Sequence, residues 1–151
     1  IVPGTASAFN YGVSTPWFVL GSELIFAAKT AANGAELWKT DGTVAGTVLV
    51  RDVNAGAADS SPVLLAESGG YVYFTAYEAS VHYELWRTDG TTAGTALVRD
   101  LWVGNGSYPE KVTPLPGTIL FVANDGTTGK ELWKTDGTPA GTSLVKDILP
   151  G

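Results

Sequence analysis

A chain of 151 residues with 44% hydrophobic and 16% charged residues has the size and composition of one folded domain. Its net charge of −6 offers no basic face to nucleic acid, and the absence of Cys removes disulfides, thiol nucleophiles and Cys-ligated metals. There is one His, hence no His cluster, and no apolar run approaches the ~20 residues that span a bilayer, so membrane insertion is not expected.

Nineteen Gly and eight Pro predict many short elements joined by tight turns. In chain order, residues 1–52 hold extra residues before Trp17, then the apolar run Leu24-Ile25-Phe26 and a segment from Glu36 to Asp52. Residues 53–100 predict strands near 62–67, 71–77, 83–88 and 95–101. Residues 101–151 parse the same way, with Ile119-Leu120-Phe121 before a segment from Glu131 to Asp147. A Gly or Pro turn precedes each apolar run, at Gly21-Ser22, Gly69-Gly70 and Pro116-Gly117. No capped amphipathic stretch predicts a helix. The lack of Met even at residue 1 is what a processed chain, or a piece of a longer one, would show.

The segments 36–52, 84–100 and 131–147 are 17-residue copies with thirteen identical positions: Glu-Leu-Trp, Thr-Asp-Gly-Thr, Ala-Gly-Thr, Leu-Val and a closing Asp. The tryptophans Trp38, Trp86 and Trp133 follow one another at 48 and 47 residues. Such a period, with four short strands in each copy, is that of propeller blades. The expected fold is therefore all-β, a β-propeller of four-stranded antiparallel blades at about 1–52, 53–100 and 101–151. In Glu36-Leu37-Trp38 successive side chains alternate faces, so Leu37 and Trp38 can both be buried, each against a different neighbour. Asp41 should close an Asx-type turn, with Gly42 and Gly46 supplying positive φ. Asp52, Asp100 and Asp147 should meet the repeated Lys or Arg positions.

The string Glu-Leu-Trp-Lys-Thr-Asp-Gly-Thr at 36–43 and 131–138, with Arg87 in place of Lys at 84–91, resembles the ELWxxDGT repeat family of bacteria. The likeness continues through Ala-Gly-Thr and Leu-Val to Ile148-Leu149-Pro150-Gly151 and covers nearly the whole chain. It implies β-propellers in large secreted or surface proteins, hence an extracellular or cell-surface setting, and it carries over no activity. Copy two departs most, with Ser80-Val81-His82-Tyr83 where copy three has Thr127-Thr128-Gly129-Lys130.

Propellers have typically four to eight blades, so three would leave an apolar face open at each end. Two chains on a twofold axis, giving six blades, is the simplest closure; a longer array or a head-to-tail filament are the alternatives.

The acids Glu36, Glu84, Glu131, Asp41, Asp89 and Asp136 recur once per copy, as do Trp38, Trp86 and Trp133, and read as structural rather than catalytic. The Asp-Gly-Thr turns hold too few oxygen side chains at alternate positions for a calcium loop, which leaves calcium a minor alternative to no cofactor at all. Tyr11, Trp17, Tyr77, Tyr83, Trp102 and Tyr108 are aromatic where the sister copies mostly are not. Turn aromatics stack on sugars, and Trp102 with Tyr108 flanks the turn Gly104-Asn105-Gly106; Tyr11, Tyr77 and Tyr83 complete the candidate ligand set. The expected function is non-enzymatic extracellular binding or scaffolding, of a glycan or a protein. A self-assembling structural module is the second reading. A glycoside hydrolase using acids such as Glu67 and Glu110 is the third, because no nucleophile–base pair is in view.

Overall fold

Each copy of the repeat folds as a four-stranded antiparallel meander in the computed structural model, which describes residues 7–9 and 16–150. Sheet I holds β1 (Phe18–Leu20), β2 (Glu23–Thr30), β3 (Gly34–Thr40) and β4 (Val48–Arg51). Sheet II holds β5 (Val63–Ser68), β6 (Tyr71–Glu78), β7 (His82–Thr88) and β8 (Ala96–Arg99). Sheet III holds β9 (Glu110–Leu115), β10 (Thr118–Asn124), β11 (Lys130–Thr135) and β12 (Ser143–Lys146). Strand order within each sheet follows the sequence, and no helix occurs among the described residues. The all-β class and the four strands of copy two agree with the sequence reading.

The two faces of each sheet are set by one register, in which Phe26 pairs with Trp38, Phe74 with Trp86 and Phe121 with Trp133. Side chains one residue away point to the opposite face. Ile25, Ala27, Leu37 and Val50 of sheet I therefore share a core with Val72, Phe74, Ala76 and Trp86 of sheet II. Tyr73, Leu85 and Val98 of sheet II likewise meet Ile119, Phe121, Ala123 and Trp133 of sheet III. The Leu face of one sheet covers the Trp face of the next, as the alternation in Glu-Leu-Trp demands.

Local hydrogen bonding explains why Asp, Gly and Thr recur at fixed places in the turn. In copy one, Asp41 Oδ1 accepts from the Thr43 N–H and hydroxyl at 2.9 and 2.7 Å, and the Gly46 N–H donates to Thr43 Oγ1 at 2.9 Å. Thr40 and Thr47 join hydroxyls at 2.7 Å, and the same pairing recurs at Thr88–Thr95 and Thr135–Thr142. The Thr43, Thr91 and Thr138 hydroxyls hold Asp41, Asp89 and Asp136 below the usual carboxylate range. Gly42 has φ +90°, as expected. Gly46 does not take positive φ; it is required because a Cβ there would overlap the Asp41 carboxylate. Gly94 and Gly141 stand in the same way against Asp89 and Asp136.

A second set of bonds fastens one sheet to the next. Glu36, fully buried, accepts from the Val53 and Ser60 N–H groups at 2.9 and 3.0 Å and meets the Ser60 hydroxyl at 2.6 Å. Glu84 holds Ser107 through the same N–H, at 2.9 Å, and the same hydroxyl. Burial pushes both carboxyls up to about 7, against the pull of those donors, and Asp100 adds to the rise at Glu84. The Ser60 and Ser107 carbonyls then accept from Tyr77 and Asn124 of the following sheet at 2.8 and 3.0 Å. Arg51 donates to the Thr95 carbonyl of sheet II, and Arg99 to that of Thr142 in sheet III at 2.6 Å.

These arginines are not partners of the closing aspartates, contrary to the sequence expectation. Asp52 instead accepts from the Asn33 amide and the Gly56 N–H, both at 3.0 Å. The ion pairs among the described residues are Lys29–Asp59, Lys39–Glu23 and Lys130–Glu110. The long reach of Arg suits a carbonyl on the next sheet, whereas an Asp beside the connecting loop is nearer to that loop's own N–H groups.

Candidate binding site

The connection from sheet II to sheet III is held between them. Tyr108 N–H donates to the Tyr83 carbonyl at 3.2 Å, while the Ser107 carbonyl binds Asn124. Gly106 allows this approach: a Cβ there would come within 3.0 Å of Tyr83 N and 3.1 Å of the Tyr108 ring. Tyr108 is left at φ +49°, a left-handed conformation uncommon for a non-Gly residue. Its ring consequently lies over Tyr83, with centroids 5.8 Å apart and planes 31° from parallel.

Tyr83 in turn faces Tyr77, its antiparallel partner across β6 and β7, at 5.3 Å. His82 closes edge-on against Tyr77 at 5.8 Å, itself at φ +60°. Three of the five residues of the candidate ligand set thus form one ladder, ending at Tyr108, which is 55% exposed. Trp102 joins none of the ring contacts among the described residues; it is half-buried against Gly126, where a Cβ would overlap its indole. Tyr11 lies outside the described residues. Trp17 belongs to a sheet face rather than a ligand-facing turn, stacking on Phe26 at 6.3 Å with Phe9 beside it.

A concavity of about 260 Å³ opens at the other end of the joint between sheets II and III. Tyr71, Tyr73, Pro116, Thr118 and Asp136 are among its lining, and the Arg87 guanidinium lies 4.3 Å over the Tyr71 ring. Sequence reasoning passed over Tyr71 and Tyr73 because they sit inside an apolar strand. Comparing copies position by position exposes them: copy one has Glu23, Ile25 and Lys39 where copy two has Tyr71, Tyr73 and Arg87. In sheet I, Lys39 and Glu23 meet as an ion pair at 3.0 Å.

Asp136 is the one carboxylate in the lining of the concavity among the described residues. Glu36 and Glu84 are consumed by the joints, Glu110 is bound to Lys130 at 3.0 Å, and Glu67 is exposed on β5. What the ladder offers is flat, partly desolvated aromatic area beside tyrosine hydroxyls. That chemistry stacks on the C–H face of a ring and bonds its hydroxyl groups. Compared with known proteins, the chain matches no family model and no curated protein.

Proposed function

We propose that this chain is a non-enzymatic binding and scaffolding β-propeller of the extracellular space or cell surface, which recognises glycans through Tyr77, Tyr83 and Tyr108. Each four-stranded sheet is read as one blade, and a second chain completes the ring to six. The observation that carries the reading is the tyrosine ladder: residues absent from the sister copies come together and end at an exposed ring. The resemblance of the 17-residue segments to ELWxxDGT repeats is in keeping with the location and with the absence of an assigned reaction.

Glycan-array screening followed by calorimetry tests it. Binding is expected, and Tyr83→Ala or Tyr108→Ala should weaken it about tenfold or more. Trp102→Ala should have a smaller effect, since that indole is engaged with Gly126. Absence of any glycan signal, or variants that bind as the parent does, would overturn the reading.

The self-assembling alternative draws support from a different observation, the incomplete outer faces of sheets I and III.

A further inference from the structure

The two joints inside the chain share the Glu–Ser, Ser carbonyl and Arg–Thr bonds, so each outer sheet carries one half of a third joint. On sheet III the half is the Leu face. Leu37 and Leu85 are 0% and 2% exposed, yet their counterpart Leu132 is only half-buried. Val50 and Val98 are 2% and 1% exposed against 47% for Val145, and Val53 is 6% exposed against 68% for Ile148. Glu131 is buried to 6% exposure, but its one hydrogen bond among the described residues is a long contact from the Leu149 N–H at 3.4 Å. Lys146 stands where Arg51 and Arg99 reach for the next sheet.

Sheet I carries the other half. Its Trp face presents Trp38 and Phe26, overlaid by Phe9 and Trp17, which are 51% and 60% exposed. The matching residue of sheet II, Leu64, pairs with Phe74 and is 1% exposed because sheet I covers it. The Ala8 carbonyl accepts from the Lys29 N–H at 2.8 Å, as the Ser60 carbonyl accepts from Tyr77. Ala8 therefore holds the place of Ser60 and Ser107, and Thr47 that of Thr95 and Thr142.

We propose that the outer face of sheet III docks on the outer face of sheet I in a second copy of this chain, and that the contact is made twice about a twofold axis. Glu131 takes the N–H of Ala8 of the partner subunit, and Lys146 takes the carbonyl of Thr47 of the partner subunit. Leu132, Val145 and Ile148 cover the partner subunit's Trp17 and Trp38. The occupant is a second copy because the two halves are complementary to each other and continue an interface the chain already forms twice. This rests on the six-blade reading above and supplies its contacts. Serine is missing from position 8, so the new joint lacks one hydroxyl that both internal joints have.

Sedimentation and native mass spectrometry of the 151-residue chain test the proposal. A mass of about twice 15.7 kDa is expected. Val145→Arg and Trp17→Arg alter exposed positions and should each leave the circular dichroism unchanged while giving monomers. Mixing those two variants should restore a dimer through the one joint that neither touches, with at least tenfold weaker affinity than the parent. Ala8→Ser should tighten the parent dimer severalfold by supplying the absent hydroxyl to Glu131. A parent that stays monomeric overturns the proposal, as do species that grow beyond two chains, or a Trp17→Arg variant that dimerises like the parent. Glycan binding by a monomeric parent would sink the docking and leave the binding reading standing. A dimer that behaves as described but binds no glycan would do the reverse.

Discussion

Glu84 and Glu131 occupy the same place in the same 17-residue sequence, and they live in different surroundings. Glu84 meets the Ser107 N–H and hydroxyl in the joint between sheets II and III. Glu131, in the last sheet, has a single long contact with Leu149. The difference teaches that the repeat encodes half of a joint in every copy, whether or not a neighbour is present to complete it. Near-identity of sequence sets the backbone and the face of the side chain; the neighbouring sheet sets what the side chain does.

The largest effect that sharpens this comparison is pH dependence. Glu36 and Glu84 stand at about 7 in the folded chain and near 4.5 when unfolded. Their raised values favour the folded state fully below pH 4.5, and that advantage is lost as pH rises through 7. Each carboxyl contributes on the order of 3 kcal/mol across that window. Urea unfolding followed from pH 5 to pH 8 should show falling stability, and Glu36→Gln with Glu84→Gln should flatten the slope. A slope unchanged in the double variant would mean that other groups titrate. The geometry suits a neutral acid: the Ser60 hydroxyl has both the Ala35 carbonyl and Glu36 within reach, and it can donate to the first while accepting from a protonated second.

Truncation gives the next largest effect. Glu84→Ala leaves the buried N–H and hydroxyl of Ser107 without acceptors and should cost about 2–4 kcal/mol in denaturant unfolding. Glu131→Ala, made like its Glu84→Ala counterpart in the monomeric Val145→Arg background, should change stability by less than about 1 kcal/mol, since no comparable set of donors is orphaned within one chain. Equal losses at the two positions would break the comparison.

The smallest effect is a control that ignores the joints. Gly94→Ala and Gly141→Ala each drive a Cβ into an aspartate of their own turn, and both should cost about 1–2 kcal/mol by the same measurement. Because the Asp-Gly-Thr turn closes within one sheet, the two values should agree where those of the two glutamates differ.

This division between turn and joint also separates what could be read in the sequence from what could not. The strands of copy two were expected near 62–67, 71–77, 83–88 and 95–101 and are found at Val63–Ser68, Tyr71–Glu78, His82–Thr88 and Ala96–Arg99. Strand alternation and turn chemistry act over a few residues, so periodicity and Gly placement reveal them. The turn role of Asp41 was legible for the same reason. The role of Gly46 was not, because it depends on where the Asp41 carboxylate swings rather than on Gly's own φ. Glu36 was read as structural without its partner, which is a serine 24 residues further on. Of the aromatic set, Tyr77 and Tyr83 could be paired once the hairpin register was known. Tyr108 enters only through the fold of a connecting loop, and Trp102 is turned aside by Gly126.

The distance in sequence between Glu36 and Ser60 has a further consequence for how the chain is made. Hairpins inside a sheet close over short loops and form early, whereas the bonds that lock sheet I need residues of the following connection. On a ribosome, the strands of sheet I emerge ahead of the segment that fastens them, and each later sheet emerges beside one that is already out. Every new sheet that folds in this order completes its predecessor and exposes the next unsatisfied glutamate at the growing end.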